Sequence, residues 1–188
     1  MINIGIIGGA GYTAGELIRI LLWHPLAKIK FVQSSSHAGE KITNVHRDLI
    51  GDTDLIFSHP DYNEVDVIFL CSGHGKSEVF LKENALPKHL KIIDLSTDFR
   101  HKRVGNDFVY GLPELNKELI ESAEKVANPG CFATAIELAL LPLAEAQRLN
   151  NEVHVNAITG STGSGQRPTS TSHFSWKNNN VAVYKPFN

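Results

Sequence analysis

The chain offers two thiols, Cys71 and Cys131, in different settings. Cys131 follows Pro129 and Gly130 and opens the apolar run "CFATAIELALLPLAEAQRL". A thiol at a helix start meets the free N–H groups of the first turn, which favour the thiolate, its nucleophilic form. The Pro-Gly pair makes a rigid turn that can expose the sulfur. Cys71 instead ends the apolar stretch "DVIFLCS", where a cysteine packs as a small apolar residue. A second signature lies in "GIIGGAGYTAGE", where Gly8, Gly11 and Gly15 separate a β-branched apolar run from an amphipathic segment. Glycines there allow positive φ and close approach of a phosphate, and the helix N–H groups then bind the anion. The spacing is not G-x-G-x-x-G, but the strand–glycine–helix setting is that of a dinucleotide site, with Tyr12 and Thr13 in its loop. A thiolate beside a nicotinamide suggests one reaction class. An acyl group is transferred to sulfur, and hydride reduces the thioester to an aldehyde.

The residue type at the end of the second strand separates the two nicotinamide cofactors. A carboxylate there holds the ribose diol, and its absence leaves room for a phosphate. The sequence reads "QSSSHAGEK", without a carboxylate before Glu40. Ser34, Ser35 and Ser36 offer hydroxyls, and His37 or Lys41 could add positive charge, so NADP (NADPH) is expected. An acid/base partner is usually a histidine. His74, in "SGHGKS" after the third strand, is expected at the ligand-binding end of the sheet; His154 and His173 cannot be ranked. No metal site is expected.

These residues need elements to hold them. "INIGII", "AKIKFVQSSS", "DVIFLCS" and "LKIIDLS" read as strands, and "AGELIRILLWH" and "GKSEVFLKENAL" as the helices between them. Strands alternating with helices predict an α/β fold: a Rossmann-like, doubly wound parallel sheet. Residues 98–127 read as irregular, ending in a short helix "NKELIESAEK" capped by Asn116. The helix opened by Cys131 is expected to kink at Pro142. "EVHVNAIT" alternates polar and apolar residues as a half-exposed strand does. A boundary is expected near Leu149, giving a cofactor domain over residues 1–149 that carries the nucleophile. Residues 150–188 would begin an α+β substrate or dimerisation domain, too short to be stable alone. "VAVYKPFN" reads as the middle of a strand and turn.

Composition sets the outer bounds. The 188 residues are 42% hydrophobic and 20% charged, enough for one core. A net charge of -2 favours neither nucleic acid nor an anionic membrane as partner. The N-terminus lacks a basic segment and its apolar run is broken by glycines, so neither a signal peptide nor a spanning helix is read. With two cysteines a reducing, cytoplasmic location is expected.

Together, "GGAGYTAGEL", "HGKS", "DLSTDFR", "YGLPEL", "NPGCFAT" and "GSTGSGQ" resemble the N-acetyl-gamma-glutamyl-phosphate reductase family over essentially the whole chain. The resemblance implies NADPH-dependent reduction of an acyl phosphate to N-acetylglutamate 5-semialdehyde, in arginine biosynthesis, by a homo-oligomer. It implies Cys131 as nucleophile and Gly8, Gly11 and the loop of Ser34, Ser35 and Ser36 as cofactor ligands. It puts Ser96, Arg100, Glu114 and Ser161 near the substrate and its phosphate. Serines stand where members often have an arginine, and Gln166 where many carry arginine. The family's acid/base histidine follows a segment like "VYKPFN", so the chain is expected to be a fragment without measurable reductase activity alone. Two other readings fit parts of the pattern. One is an aspartate-semialdehyde-type dehydrogenase, against which "YGLPEL" argues; the other is a non-catalytic dinucleotide-binding module.

Overall fold

The computed structural model describes residues 1–150, 152–165 and 169–183. They fall into two compact units, Met1–Val155 and Asn156–Asn188. The first holds strands β1 (Ile2–Ile7), β2 (Ala27–Gln33), β3 (Val67–Leu70), β4 (Lys91–Asp94), β5 (Val109–Tyr110) and β6 (Lys125–Ala127). Its helices are α1 (Tyr12–Leu22), α2 (Ser77–Glu83), α3 (Pro113–Ser122) and α4 (Cys131–Glu145). The strands form one parallel sheet in the order β2-β1-β3-β4-β6-β5. This is the expected doubly wound architecture.

Alternation along β1 sends side chains into two cores. Ile4 and Ile6 pack with Ala14, Ile18 and Leu21 of α1 and with Val32, Leu49 and Phe57. Ile7 packs on the other face with Phe31, Ile68, Leu70 and Ile92. Burial on both faces is why these strands read as nearly unbroken apolar runs. Fully burying one such side chain contributes about 1.5–3 kcal/mol, so each core is a substantial share of the stability.

Several expected elements differ. Residues 98–127 contain two strands, β5 and β6, that the sequence reading missed; β6 sits inside the sheet between β4 and β5. Asn116 stands at a kink between a first turn and the helical piece that follows it, ahead of that piece as expected. The helix starts at Pro113, a residue favoured in a first turn, and Asn116 breaks it with φ -126 and ψ 26. The Asn116 Nδ2 donates to the Tyr110 carbonyl at 2.9 Å. Helix α4 runs through Pro142 and ends at Glu145, so the proline lies in its last turn. "EVHVNAIT" forms no strand among its described residues, which lie exposed without ladder partners. Among its described residues the second unit contains a 3-10 turn, Ser161–Ser164, and the short helix α5 (Phe174–Lys177). Gln166 and most of "VYKPFN" lie outside the described residues. Among the described residues no helix is long and apolar enough to cross a membrane.

Candidate active site

The strand order reverses at β1, with β2 on one side and β3 on the other. A crevice therefore opens beyond the carboxyl ends of these strands, where ligands bind in open parallel sheets. A cleft of about 620 Å³ lies there, lined by Gly8, Gly11, Ser34, Ser35, Ser36 and Lys76 among others. Gly8 adopts φ +79, and a β-carbon on it would lie 2.6 Å from the Ser72 backbone. Its N–H donates to Gln33 Oε1 at 3.3 Å. Gly11 is the N-cap of α1, and a β-carbon there would meet no atom within 4 Å. The protein itself does not require a glycine at 11; the open space beside it is what an added side chain would fill. This is a cradle suited to a phosphate at a helix start.

Gly15 has a different reason. A β-carbon there would come within 2.5 Å of His46 Nδ1. His46 is buried, and its Nε2 lies 2.7 Å from the Gly9 carbonyl. A carbonyl only accepts, so Nε2 carries the proton and holds the glycine turn from beneath. No local pattern of residues signals this partnership. Ser34 is buried, with its Oγ 3.3 Å from Ser36 Oγ. His37 and Lys41 face carboxylates instead of the cleft: His37 contacts Glu40 at 3.3 Å and Lys41 contacts Asp54 at 3.0 Å. The cation that lines the cleft is Lys76, legible only as the lysine of "HGKS". Tyr12 and Thr13 are exposed in the first turn of α1 and do not line the cleft.

Beyond β3 and β4 the segments are stitched together. His74 is exposed, and its Nδ1 accepts from the Thr97 N–H at 3.1 Å. Asp98 accepts from the N–H groups of Gly75, Ser77 and Glu78 at 2.7, 3.0 and 3.1 Å. Burial acts to raise the Asp98 pKa, but the backbone donors of Gly75, Glu78 and Ser77 outweigh it and lower the value. Ser96 is buried; its hydroxyl donates to Asp94 Oδ2 at 2.7 Å and accepts from the Asp98 N–H at 3.0 Å. Sequence reasoning missed Asp98, although an aspartate two residues past a serine is a common turn signal.

The nucleophile candidate follows β6. The Asn128 N–H donates to the Asp94 carbonyl at 2.8 Å, extending the β4–β6 ladder to the turn before Cys131. Cys131 is the first residue of α4 and is exposed, with Gly130 as N-cap. Arg100 reaches the same turn, its Nε donating to the Asn128 carbonyl at 2.8 Å. Lower on α4, Glu137 accepts from the Tyr110 hydroxyl at 3.0 and 3.1 Å. Desolvation, then the hydrogen bond and charge of Glu137, raise the Tyr110 pKa despite Arg100 nearby. Cys71 is half-buried, packs against the core under α1 and lines the cleft. Burial, with the Asp94 charge, pushes its thiol up to about 12. Glu114 is exposed in the first turn of α3. Ser161 is exposed in the second unit, where an open depression of about 530 Å³ is lined by residues from Thr169 to Trp176, among them the unranked histidine His173.

Residues 3–123 match the family model described as semialdehyde dehydrogenase, NAD binding domain. Residues 131–188 match that of the semialdehyde dehydrogenase dimerisation domain. N-acetyl-gamma-glutamyl-phosphate reductase of Azobacteroides pseudotrichonymphae is 62% identical over 188 residues, all of this chain and 59% of that protein. The enzyme of the same name from Flavobacterium johnsoniae is 58% identical over 191 residues, again all of this chain and 59% of that protein. The chain thus spans somewhat over half the length of the relatives it matches. Among solved structures, aspartate semialdehyde dehydrogenase II from Vibrio cholerae, complexed with ASA, superposes with a TM-score of 0.61 at 20% identity. It covers 78% of this chain and 47% of that one. Aspartate semialdehyde dehydrogenase with NADP from Candida albicans gives 0.60 at 17%, covering 79% and 48%.

Proposed function

The chain belongs to the semialdehyde dehydrogenase family, and from this premise we propose that it is part of an NADPH-dependent N-acetyl-gamma-glutamyl-phosphate reductase. The observation that carries the reading is Cys131, exposed at the head of α4 on the same sheet edge as the glycine-lined cleft. The reaction joins an acyl phosphate and a hydride donor and yields N-acetylglutamate 5-semialdehyde and inorganic phosphate.

Cys131 Sγ, as thiolate, attacks the acyl carbon; the carbon–oxygen bond to phosphate breaks and a thioester forms. NADPH, when bound, supplies the hydride that reduces such an acyl group to the aldehyde. Gly8 and Gly11 leave the pyrophosphate room beside the start of α1. Ser34, Ser35 and Ser36, with Lys76, line the cleft where they would hold the ribose phosphate. His46 keeps the glycine turn in place. Ser96, Glu114 and Ser161 are proposed for substrate, and His74 for the cofactor side. We assign residues 1–149 to the cofactor domain and 150–188 to the start of the substrate domain. Helix α4 supports a homo-oligomer in the whole protein: it is apolar, none of its residues is buried, and a dimerisation-domain match begins at Cys131. A cytoplasmic location belongs to the same proposal. An aspartate-semialdehyde dehydrogenase is supported by fold likeness alone, at 17–20% identity.

The test is the reverse reaction in the whole protein: phosphate-dependent reduction of NADP by N-acetylglutamate semialdehyde. Turnover should vanish in Cys131→Ala. A preference for aspartate semialdehyde would reject the substrate, and full activity in Cys131→Ala would reject the nucleophile.

A further inference from the structure

The resemblance puts Arg100 beside the substrate phosphate, but its surroundings assign it another task. Its Nε donates to the Asn128 carbonyl at 2.8 Å and its Nη2 to the Leu95 carbonyl at 2.9 Å. These two nitrogens form the fork edge with which an arginine normally grips a carboxylate or phosphate. Here that edge joins the end of β4 to the turn that follows β6. The third nitrogen, Nη1, lies 3.0 Å from where a β-carbon on Gly130 would stand. Gly130 has φ -73 and ψ 156, an extended conformation open to any residue. What a side chain at 130 would crowd is the guanidinium, which would have to give way by a few tenths of an ångström, and not the backbone.

We infer that Arg100 is a positioning residue: it braces the turn at 128–130 and so fixes the first turn of α4 and the Cys131 sulfur. The inference rests on Cys131 being the nucleophile. It also explains why "NPGC" carries a glycine there: Gly130 and Arg100 are two halves of one contact.

The test uses iodoacetamide on the folded chain without substrate, with the Cys131 rate of each variant read against that of wild type. Arg100→Ala should slow Cys131 alkylation up to about fivefold, the scale on which the amides of a fixed first helical turn favour an anion. Arg100→Lys, which keeps the charge and loses the fork, should slow it as well. Gly130→Ala keeps Arg100 and its charge but displaces the guanidinium, and should give the same loss. Combining Gly130→Ala with Arg100→Ala should add less than about a further twofold, since both break one contact. NADPH affinity should be unmoved in all of them. In the whole protein, kcat with N-acetyl-gamma-glutamyl phosphate should fall while KM stays within about twofold. Gly130→Ala and Arg100→Lys alkylating like wild type would overturn the inference. So would a raised KM with unchanged alkylation in Arg100→Ala, which would make Arg100 a substrate ligand. Wild-type Cys131 labelling no faster than Cys71 would overturn the nucleophile reading itself, and this inference with it.

Discussion

At Gly11 a β-carbon would stand in open space, whereas at Gly15 it would press on the His46 ring. The two glycines therefore predict opposite outcomes. Gly11→Thr introduces a β-branched side chain that is also an adequate N-cap, so stability should change by less than about 0.5 kcal/mol. NADPH titration, followed by nicotinamide fluorescence, should show binding lost; unchanged affinity would remove Gly11 from the cofactor site. Gly15→Ala should lower stability by about 1–3 kcal/mol through overpacking against a buried ring, as read by denaturant midpoint. The thiols separate in the same way. With the Cys71 thiol pushed up to about 12, iodoacetamide near neutral pH should modify Cys131 alone. Equal labelling in a mass spectrum would contradict the raised pKa of the Cys71 thiol. Gly8 and Gly11 were legible because a strand, a glycine turn and a helix are contiguous in sequence. The reason for Gly15 was not, because His46 arrives 37 residues beyond the Gly9 carbonyl it holds.

The first two N–H groups of helix α2, with that of Gly75 just before it, are directed at one carboxylate, Asp98. Because the folded state lowers the Asp98 pKa, its contribution is fully present above the ordinary carboxylate range. It is lost as pH falls through the lowered folded value. Asp98→Asn should therefore melt below wild type at neutral pH, with the gap closing under acid. A gap independent of pH would mean that the charge is not what holds α2. The effect should be small, since Asp98 lies near the surface and water screens it. The same contrast between local and distant information decides which elements could be read from sequence. β1, α1 and β3 carry their own period and apolar content. β6 has three residues, Lys125–Ala127, and becomes a strand only because β4 and β5 flank it. "EVHVNAIT" shows the converse: the alternation is present, but no neighbouring strand pairs with it. Asn116 looked like a cap by residue type, but Pro113 starts the helix a turn earlier.

The cleft draws its walls from segments after β1, β2 and β3 and from α2, so only the folded sheet assembles it. A ligand that binds there should raise the unfolding free energy by about 2.7 kcal/mol at a hundredfold excess over Kd, and the unfolding midpoint with it. NADPH should give a larger shift than NADH at equal concentration. Equal shifts would remove Ser34, Ser35 and Ser36 from the 2′-phosphate. The two-faced core was legible at this scale, because both faces draw on the same apolar strands. The stitching of the carboxyl edge was not, since it depends on backbone groups brought together across the sheet. One feature of that sheet bears on how the polypeptide acquires its shape. β5 precedes β6 in the chain but pairs only with it, so the outer edge cannot zip until Ala127 has been made. The strands through β4 can pair in sequence order as they emerge, whereas the strand that delivers the cysteine must insert last. Long-range parallel pairing of this kind is slow. Val126→Ala should then mainly speed unfolding and barely slow refolding, and during synthesis the reactive sulfur would be the last part of the sheet edge to find its place.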